Sequence, residues 1–159
     1  MAVHNLKLLI VAVLCFLVGM ASATTVEVFT ANHVGFGDQE WVDWSDKLSY
    51  NAEEIERLQK TLNKDHYNQS YEVNVFDCAD ASILCEQWLE KHGYDAYILV
   101  DVNRVHAWVV VRFDDGSYVP VEATADMAHT MGKINWNPKY LQGYVYDTAL
   151  ELMVATGKI

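Results

Sequence analysis

Apolar residues recur at helical spacing in two segments of the chain. In the first segment, Ile55, Leu58 and Leu62 lie three or four residues apart, as on one side of a helix. Asn51 stands where an N-cap is expected, and Glu54 follows three residues later in the capping-box arrangement. The pattern therefore predicts a helix that begins near Asn51.

The second helical pattern runs from Cys78 to Lys91. Its apolar residues are Ala81, Leu84, Cys85, Trp88 and Leu89. Asp77 is a good N-cap, and Gly93 stands where a left-handed residue commonly ends a helix. Cys78 is therefore expected in the first turn of this helix.

Strand patterns follow the second helix. Ala96–Val102, Val105–Phe113 and Ser117–Ala123 are rich in β-branched and aromatic residues. Helices followed by antiparallel strands predict the α+β class. Three weaker patterns flank these elements, and they predict an edge strand at Thr25–Thr30, a loop at Gly35–Trp44 and a helix at Leu141–Thr156.

The turn between the last two predicted strands determines which side chains share a face. A three-residue loop at 114–116 pairs Phe113 with Ser117, and its glycine supplies the left-handed residue that such loops need. His106 and Glu122 then lie on one face as diagonal neighbours, roughly 7 Å apart. A two-residue loop would move Glu122 to the opposite face. The turn residues thus predict a histidine–carboxylate pair.

The N-terminal residues have the layout of a secretory signal peptide. His4 and Lys7 precede an apolar run at 8–20, and small residues at 21–23 follow it. Cleavage is expected after Ala23, which leaves 24–159 as a single domain. The run is shorter than the roughly 20 residues of a membrane span, so an uncleaved anchor is the less favoured alternative. The protein is therefore expected to be secreted or held at the cell surface.

Composition and charge narrow the classes of function. The chain has 159 residues, of which 52% are hydrophobic and 21% charged, an ordinary balance for a globular protein. The formal net charge of -11 argues against a nucleic-acid partner, because phosphate binding requires clustered Lys and Arg. No second long apolar run follows the first, so no membrane association is expected after cleavage.

Two cysteines follow the signal peptide, and they are not expected to pair. On one helix Cys78 and Cys85 would be separated by about 10 Å of rise, whereas a disulfide needs Cα atoms within roughly 7 Å. A thiol in the first turn feels the positive end of the helix dipole, which favours the nucleophilic thiolate. Asp77 and Asp80 oppose this effect, so the thiolate needs a cationic partner. Taken alone, such a cysteine is more often a small buried residue.

Two further residues can supply that partner. His106 opens an apolar strand, where an imidazole can exchange protons near neutral pH. Glu122 lies in another apolar strand and needs a partner wherever it is buried. Alone, each has an ordinary structural explanation: a histidine bonded to a backbone carbonyl, and a glutamate on an exposed strand edge. Paired by the hairpin register, the carboxylate fixes the imidazole tautomer and stabilises its cation.

A helix that begins with cysteine, a strand that begins His-Ala-Trp, and an acidic residue followed by Ala-Thr together resemble the transglutaminase-like superfamily. The resemblance covers about Tyr71 to Thr124 and implies a papain-like core, with the Cys78 helix packed on an antiparallel sheet. That sheet would carry His106 and Glu122. The resemblance implies that Cys78 is the nucleophile, His106 the general base and Glu122 the orienting carboxylate, a position where the superfamily usually has Asp.

The implied activity is hydrolysis of an extracellular or cell-envelope peptide or amide through a thioester on Cys78, with no cofactor. Two alternatives are a catalytically inactive binding or envelope protein of this fold, and an acyltransferase that cross-links proteins. A permuted cell-wall peptidase is less favoured, because that group separates its cysteine and histidine more widely. No metal site is predicted, since His66, His92 and His129 stand in no ligand spacing.

Two other features concern the surroundings of the cysteine. The triplet 68–70 is a glycosylation sequon at Asn68. Asn74, Tyr71 and the upstream tryptophans are candidates for the side chain that completes an oxyanion hole.

Overall fold

The computed structural model describes residues 39–157. They form three helices and a six-stranded antiparallel sheet, which is the predicted α+β class. Helices α1, α2 and α3 span Ala52–Leu62, Cys78–Lys91 and Ala149–Ala155. Strands β1 to β6 span Trp41–Asp43, Asp95–Asp101, His106–Arg112, Tyr118–Glu122, Lys133–Ile134 and Gln142–Tyr146.

The signal peptide predicted at 1–23 and the edge strand predicted at 25–30 lie outside the described residues. Between residues 39 and 157, none of the helices is both long enough and apolar enough to cross a bilayer.

Both helices that lead up to the strands are present where they were predicted, and side chains cap their first turns. The Asn51 side chain accepts the N–H of Glu54 at 3.3 Å, and α1 begins at the next residue. The Asp77 side chain accepts the N–H of Ala79 at 2.9 Å, and α2 begins at Cys78. These caps satisfy N–H groups that lack partners inside the helix. Each helix start is therefore determined by neighbouring residues.

The strands are arranged in the order β1-β6-β2-β3-β4-β5. Strands β2, β3 and β4 are consecutive antiparallel neighbours, as predicted. Strand β6 returns from the end of the described chain and lies between β1 and β2, with Val145 opposite Leu99 and Gly143 opposite Val42. A Cβ at Gly143 would lie 3.0 Å from the carbonyl oxygen of Val100, so glycine permits the close approach of β6 to β2.

Both faces of the central strand β3 are covered. On one face Val109 belongs to a buried cluster with Cys85 of α2. On the other face Trp108 belongs to a second buried cluster with Tyr118 and Leu141. Because side chains alternate along a strand, the two clusters lie on opposite sides of the sheet. The first residue of β3 is only partly exposed, so the strand brings a histidine to the boundary of the core.

Two predictions near the ends of the described region are wrong. The stretch Leu141–Thr156 is not one helix: it forms strand β6 and then the short helix α3. The segment predicted as a loop at Gly35–Trp44 contains β1, in which Trp41 pairs with Tyr144 and contacts its ring at a centroid distance of 5.1 Å. In both cases pairing with a distant strand outweighs the local preference of the sequence.

Candidate catalytic site

The hairpin of β3 and β4 brings His106 and Glu122 together. The N–H of Phe113 donates to the carbonyl of Ser117 at 2.8 Å, which is the predicted register with a three-residue loop. Val109 and Val121 are opposite one another farther along the hairpin. The predicted pair is confirmed, because His106 Nε2 lies 2.7 Å from Glu122 Oε2.

The Glu122 carboxylate is held by a second partner on its other oxygen. Oε1 accepts hydrogen bonds from the Thr124 hydroxyl at 2.6 Å and from the Thr124 N–H at 3.2 Å. Burial raises the pKa of Glu122, but the hydrogen bonds and charge of His106 and the bonds from Thr124 outweigh it and hold this pKa below its usual 4.5. The carboxylate is thus ionised and fixed in orientation beside the imidazole. No sequence pattern indicated that Thr124 anchors this carboxylate.

The His106 ring is enclosed by aromatic side chains. It stacks on Trp108 with the ring centroids 5.6 Å apart, and its edge meets Tyr140 at 6.1 Å. The indole N–H of Trp108 donates to the carbonyl of Tyr140 at 2.6 Å, which ties the two aromatic residues together. These contacts restrict the rotation of the imidazole.

The pKa of His106 is raised far above its ordinary 6.5. Burial alone lowers this pKa, but hydrogen bonding with Cys78 and Glu122 and the charges of both residues raise it to about 9. Because Nε2 is directed at Glu122, Nδ1 is the ring nitrogen that remains for the thiol. The site therefore favours an imidazolium beside the Glu122 carboxylate at neutral pH.

Cys78 is the first residue of α2, and only 4% of its surface is exposed. The carboxylates on either side of it form a reciprocal capping box. Asp77 accepts the N–H groups of Ala79 and Asp80 at 2.9 and 3.4 Å, while Asp80 accepts the N–H of Asp77 at 3.1 Å. Backbone hydrogen bonds thus compensate part of the negative charge that the sequence places next to the thiol.

The same capping reduces the choice of oxyanion donors in this turn. The N–H groups of Ala79 and Asp80 are bound to the Asp77 carboxylate, and the N–H of Ala81 donates to the Asp77 carbonyl at 3.0 Å. These three N–H groups already have partners within the turn. The N–H of Cys78 itself is the donor that this turn leaves for that purpose.

The structure separates the side chains proposed for the oxyanion hole. Tyr71 lines a groove together with Thr124, and burial and the charges of Cys78, Asp77 and Glu122 raise its pKa. Asn74 adopts a left-handed conformation, with φ at 66°, within the tight turn that follows Tyr71. Of the upstream tryptophans, Trp41 contacts Tyr144 of β6 and Trp44 stacks on Tyr118 of β4.

The second cysteine has a different environment. Cys85 lies on α2 in the core with no exposed surface, and both cysteines are free thiols. Burial raises the pKa of Cys85 strongly, an effect that its hydrogen bond with Tyr67 does not offset. Its thiol is therefore expected to be unreactive in the folded protein.

Two other histidines of the described residues have partners outside the proposed triad. His92 Nδ1 lies 2.7 Å from the carbonyl oxygen of Trp88, and His129 Nδ1 lies 2.7 Å from Asp126 Oδ1. Within residues 39–157, no group of three or more His, Cys, Asp or Glu side chains is arranged to hold a metal ion. Asn68, the residue of the predicted sequon, is exposed.

Comparison with known proteins adds little to this geometry. Over 61 residues the chain is 34% identical to an uncharacterized protein of Methanocaldococcus jannaschii, an alignment that covers 35% of this chain and 26% of the relative. The chain thus spans about a quarter of the length of the curated relative that it matches. No protein-family model and no solved structure matches it. Function is therefore argued from the site itself.

Proposed function

We propose that this protein is a transglutaminase-like cysteine hydrolase that cleaves a peptide or amide bond through a thioester on Cys78. The observation that supports this most directly is the 2.7 Å hydrogen bond between His106 and Glu122, at a histidine that also interacts with the Cys78 thiol. Such catalysis needs a nucleophile, a base that contacts it, and a carboxylate that orients the base. The proposed core is papain-like, with α2 packed on the sheet that carries the other two residues.

In the first half of the reaction the Cys78 thiolate attacks the carbonyl carbon of the substrate. A carbon–sulfur bond forms, and the oxyanion accepts a hydrogen bond from the Cys78 N–H. As the carbon–nitrogen bond breaks, the imidazolium of His106 gives its Nδ1 proton to the leaving nitrogen. An amine departs, and the acyl group remains on Cys78 as a thioester.

In the second half the neutral imidazole of His106 removes a proton from water. The water oxygen attacks the thioester carbon, and the carbon–sulfur bond breaks. A carboxylic acid leaves, and the thiolate–imidazolium pair is restored. Glu122 holds Nε2–H throughout, so that Nδ1 faces the reacting atoms in both halves.

Glutamate is compatible with the orienting role here, although the superfamily usually has aspartate. Its longer side chain places Oε2 at 2.7 Å from the imidazole while Oε1 is anchored to Thr124 at 2.6 Å. The anchored oxygen removes much of the freedom that the extra methylene would give. We therefore retain Glu122 as the third catalytic residue.

The proposed setting is outside the cell or at its surface. The N-terminal signal-peptide pattern supports export, and cleavage after Ala23 would release 24–159 as one domain. The net charge of -11 supports a peptide or amide substrate over a nucleic acid. We propose no resident cofactor.

The proposal is tested with p-nitrophenyl acetate, an activated ester that a nucleophilic thiol can cleave. We expect a burst of nitrophenol and an acetyl group on Cys78 in peptide mass spectra, with Cys85 unmodified as the internal control. In His106→Gln the burst rate should fall by about a hundredfold or more, since general-base assistance is lost. Absence of acetylated Cys78 at any time would instead support the inactive binding protein.

Hydrolysis and cross-linking are separated by adding a fluorescent primary amine to the acetylated protein. Hydrolysis predicts that acetate appears at the same rate with and without the amine. Appearance of the acetylated amine as the main product would favour the acyltransferase alternative.

A further inference from the structure

A groove with a volume of about 360 Å³ opens between two segments that flank the proposed catalytic residues. One wall is the segment 67–71, which leads toward α2. The other wall begins at Thr124, two residues after the end of β4, and includes Met127 and Ala128. The volume lies near the small end of the range for ligand pockets, roughly 300 to 1,000 Å³, and suits one side chain better than a long segment.

The groove adjoins the reactive centre through Thr124. Thr124 forms part of its wall and holds the Glu122 carboxylate with two hydrogen bonds. Tyr71 forms part of the opposite wall and lies within the electrostatic influence of Cys78 and Glu122. A molecule in the groove therefore lies beside the atoms that would carry out the reaction.

The inner wall is rigid. The hydroxyl of Tyr67 donates to the carbonyls of both Ala81 and Met131, at 3.0 and 2.7 Å, and the ring is buried. Met127, whose carbonyl accepts the N–H of Tyr67 at 3.1 Å, is also buried. The groove thus has a preformed apolar base, with polar side chains of 68–70 at its rim.

None of the described residues that line this groove carries a charged side chain. A carboxylate or ammonium group placed against the buried base, Tyr67 and Met127, would lose hydration without gaining an ionic partner from the lining. An uncharged side chain would lose little and would gain contact with Met127, Ala128 and the ring of Tyr71. The lining therefore selects against charge of either sign.

We propose that this groove is the specificity pocket of the enzyme and holds an uncharged side chain on the acyl side of the scissile amide. The inference rests on the proposed function. The acyl part of the substrate remains bound to the enzyme in both halves of the reaction. A pocket beside the thiol therefore contributes most to catalysis when it holds that part. The substrates are thus peptides with a neutral, small or medium-sized residue at the carbonyl that is attacked.

The test uses three acetyl-aminoacyl chloromethyl ketones, with leucine, glutamate or lysine as the amino acid. The Cys78 thiolate displaces chloride from the methylene carbon and forms a thioether, so peptide mass spectrometry measures each rate. Iodoacetamide, which has no side chain to place in the groove, measures the reactivity of the thiol itself. The readout is the ratio of the ketone rate to the iodoacetamide rate.

We expect the leucine ketone to give a ratio about tenfold or more above those of the glutamate and lysine ketones. Ala128→Trp places a large ring in the groove from an exposed position and should lower the leucine ratio by about tenfold. Ser70→Trp places a large ring in the groove from the opposite wall, and it replaces the first variant if that variant does not fold. Ala52→Trp, at an exposed alanine of α1 outside the groove, is the matched control and should leave the ratio unchanged.

Equal ratios for the three ketones, or a leucine ratio that neither tryptophan variant lowers, would overturn the pocket. If iodoacetamide still labelled Cys78 rapidly in that case, the proposed function would be unaffected. Iodoacetamide labelling of Cys78 that is no faster than in His106→Gln would instead overturn the proposed function, and the pocket with it.

Discussion

Replacing Glu122 with Gln preserves the length and shape of the side chain and removes the negative charge that faces His106. The carboxylate lies 2.7 Å from Nε2, and the side chains of His106 and Glu122 are 23% and 17% exposed, so solvent screens the pair weakly. Although burial lowers the pKa of His106, its hydrogen bonds and charge interactions with Cys78 and Glu122 raise it from 6.5 to about 9. In Glu122→Gln this pKa should fall toward its ordinary value.

The magnitude follows from linkage between protonation and folding. The pKa of His106 is higher in the folded protein, so the imidazolium stabilises the fold fully below pH 6.5 and loses this effect as pH rises through about 9. At 1.36 kcal/mol for each pH decade, the change corresponds to about 3 kcal/mol in total. Cys78 and Glu122 both contribute to this stabilisation, and about 1 to 2 kcal/mol of it is assigned to the Glu122 charge.

The pH window has a lower limit that comes from the partner. Because the pKa of Glu122 is below 4.5 in the folded protein, its contribution is present above pH 4.5 and is lost as pH falls through the folded-state value. Both contributions are therefore complete between pH 4.5 and 6.5. The stabilisation by the pair should be largest in this interval.

The assay is urea unfolding at pH 6 and at pH 9.5, together with an NMR titration of the His106 ring. The parent protein should lose about 1 to 2 kcal/mol more of its unfolding free energy between the two pH values than Glu122→Gln does. Glu40→Gln, at an exposed glutamate, controls for the loss of a carboxylate and should behave as the parent. Identical pH dependence in the parent and Glu122→Gln, with an unchanged His106 titration, would refute the ion-pair reasoning.

Three further substitutions test the surroundings of the site. Thr124→Val removes the 2.6 Å hydrogen bond from the Thr124 hydroxyl to Glu122. The rate at which p-nitrophenyl acetate acetylates Cys78 should fall severalfold, and the free energy of unfolding should fall by about 1 kcal/mol. An unchanged rate would show that Glu122 needs no anchor. Gly132→Ala places a Cβ 2.7 Å from a methyl of Val121, in a backbone conformation that glycine favours, so we expect a loss of about 1 to 3 kcal/mol in urea unfolding; a loss below 0.5 kcal/mol would contradict this packing. Gln59→Ala removes the amide that donates to the Gly132 carbonyl and accepts an N–H of β5, both at 3.3 Å, so amide hydrogen exchange in β5 should accelerate while exchange in β2 stays constant. Unchanged exchange in β5 would contradict the stabilisation of this strand by Gln59.

Much of the arrangement around the site could be predicted because it depends on neighbouring residues. Asp77 places Cys78 in the first turn of a helix through hydrogen bonds to N–H groups two and three residues away. Gly116 adopts a φ of 81° in the hairpin loop, which fixes a register that brings His106 to Glu122. Capping and turn chemistry act over a few residues, so the sequence pattern is sufficient for both.

The parts that could not be predicted depend on contacts between distant residues. Strand β6 forms because it pairs with the edge of β2. Its residues belong to a stretch whose local pattern predicts a helix, and the pairing outweighs that preference. No local sequence pattern predicts that Cys78 lies close to His106. Only the resemblance to the transglutaminase-like superfamily implied it. Thr124 and Tyr71 acquire their places from loops whose course is set by the packed core.

The proposed chemistry requires that His106 hold Cys78 as a thiolate. The most direct measurement is the rate of Cys78 alkylation by iodoacetamide from pH 5 to 10, read by peptide mass spectrometry with buried Cys85 as the internal control. We expect Cys78 to react rapidly already at pH 6, well below the reference thiol pKa of about 8.5, and His106→Gln to abolish this reactivity at low pH. Alkylation of Cys78 that appears only near pH 8.5 and is the same in His106→Gln would contradict it.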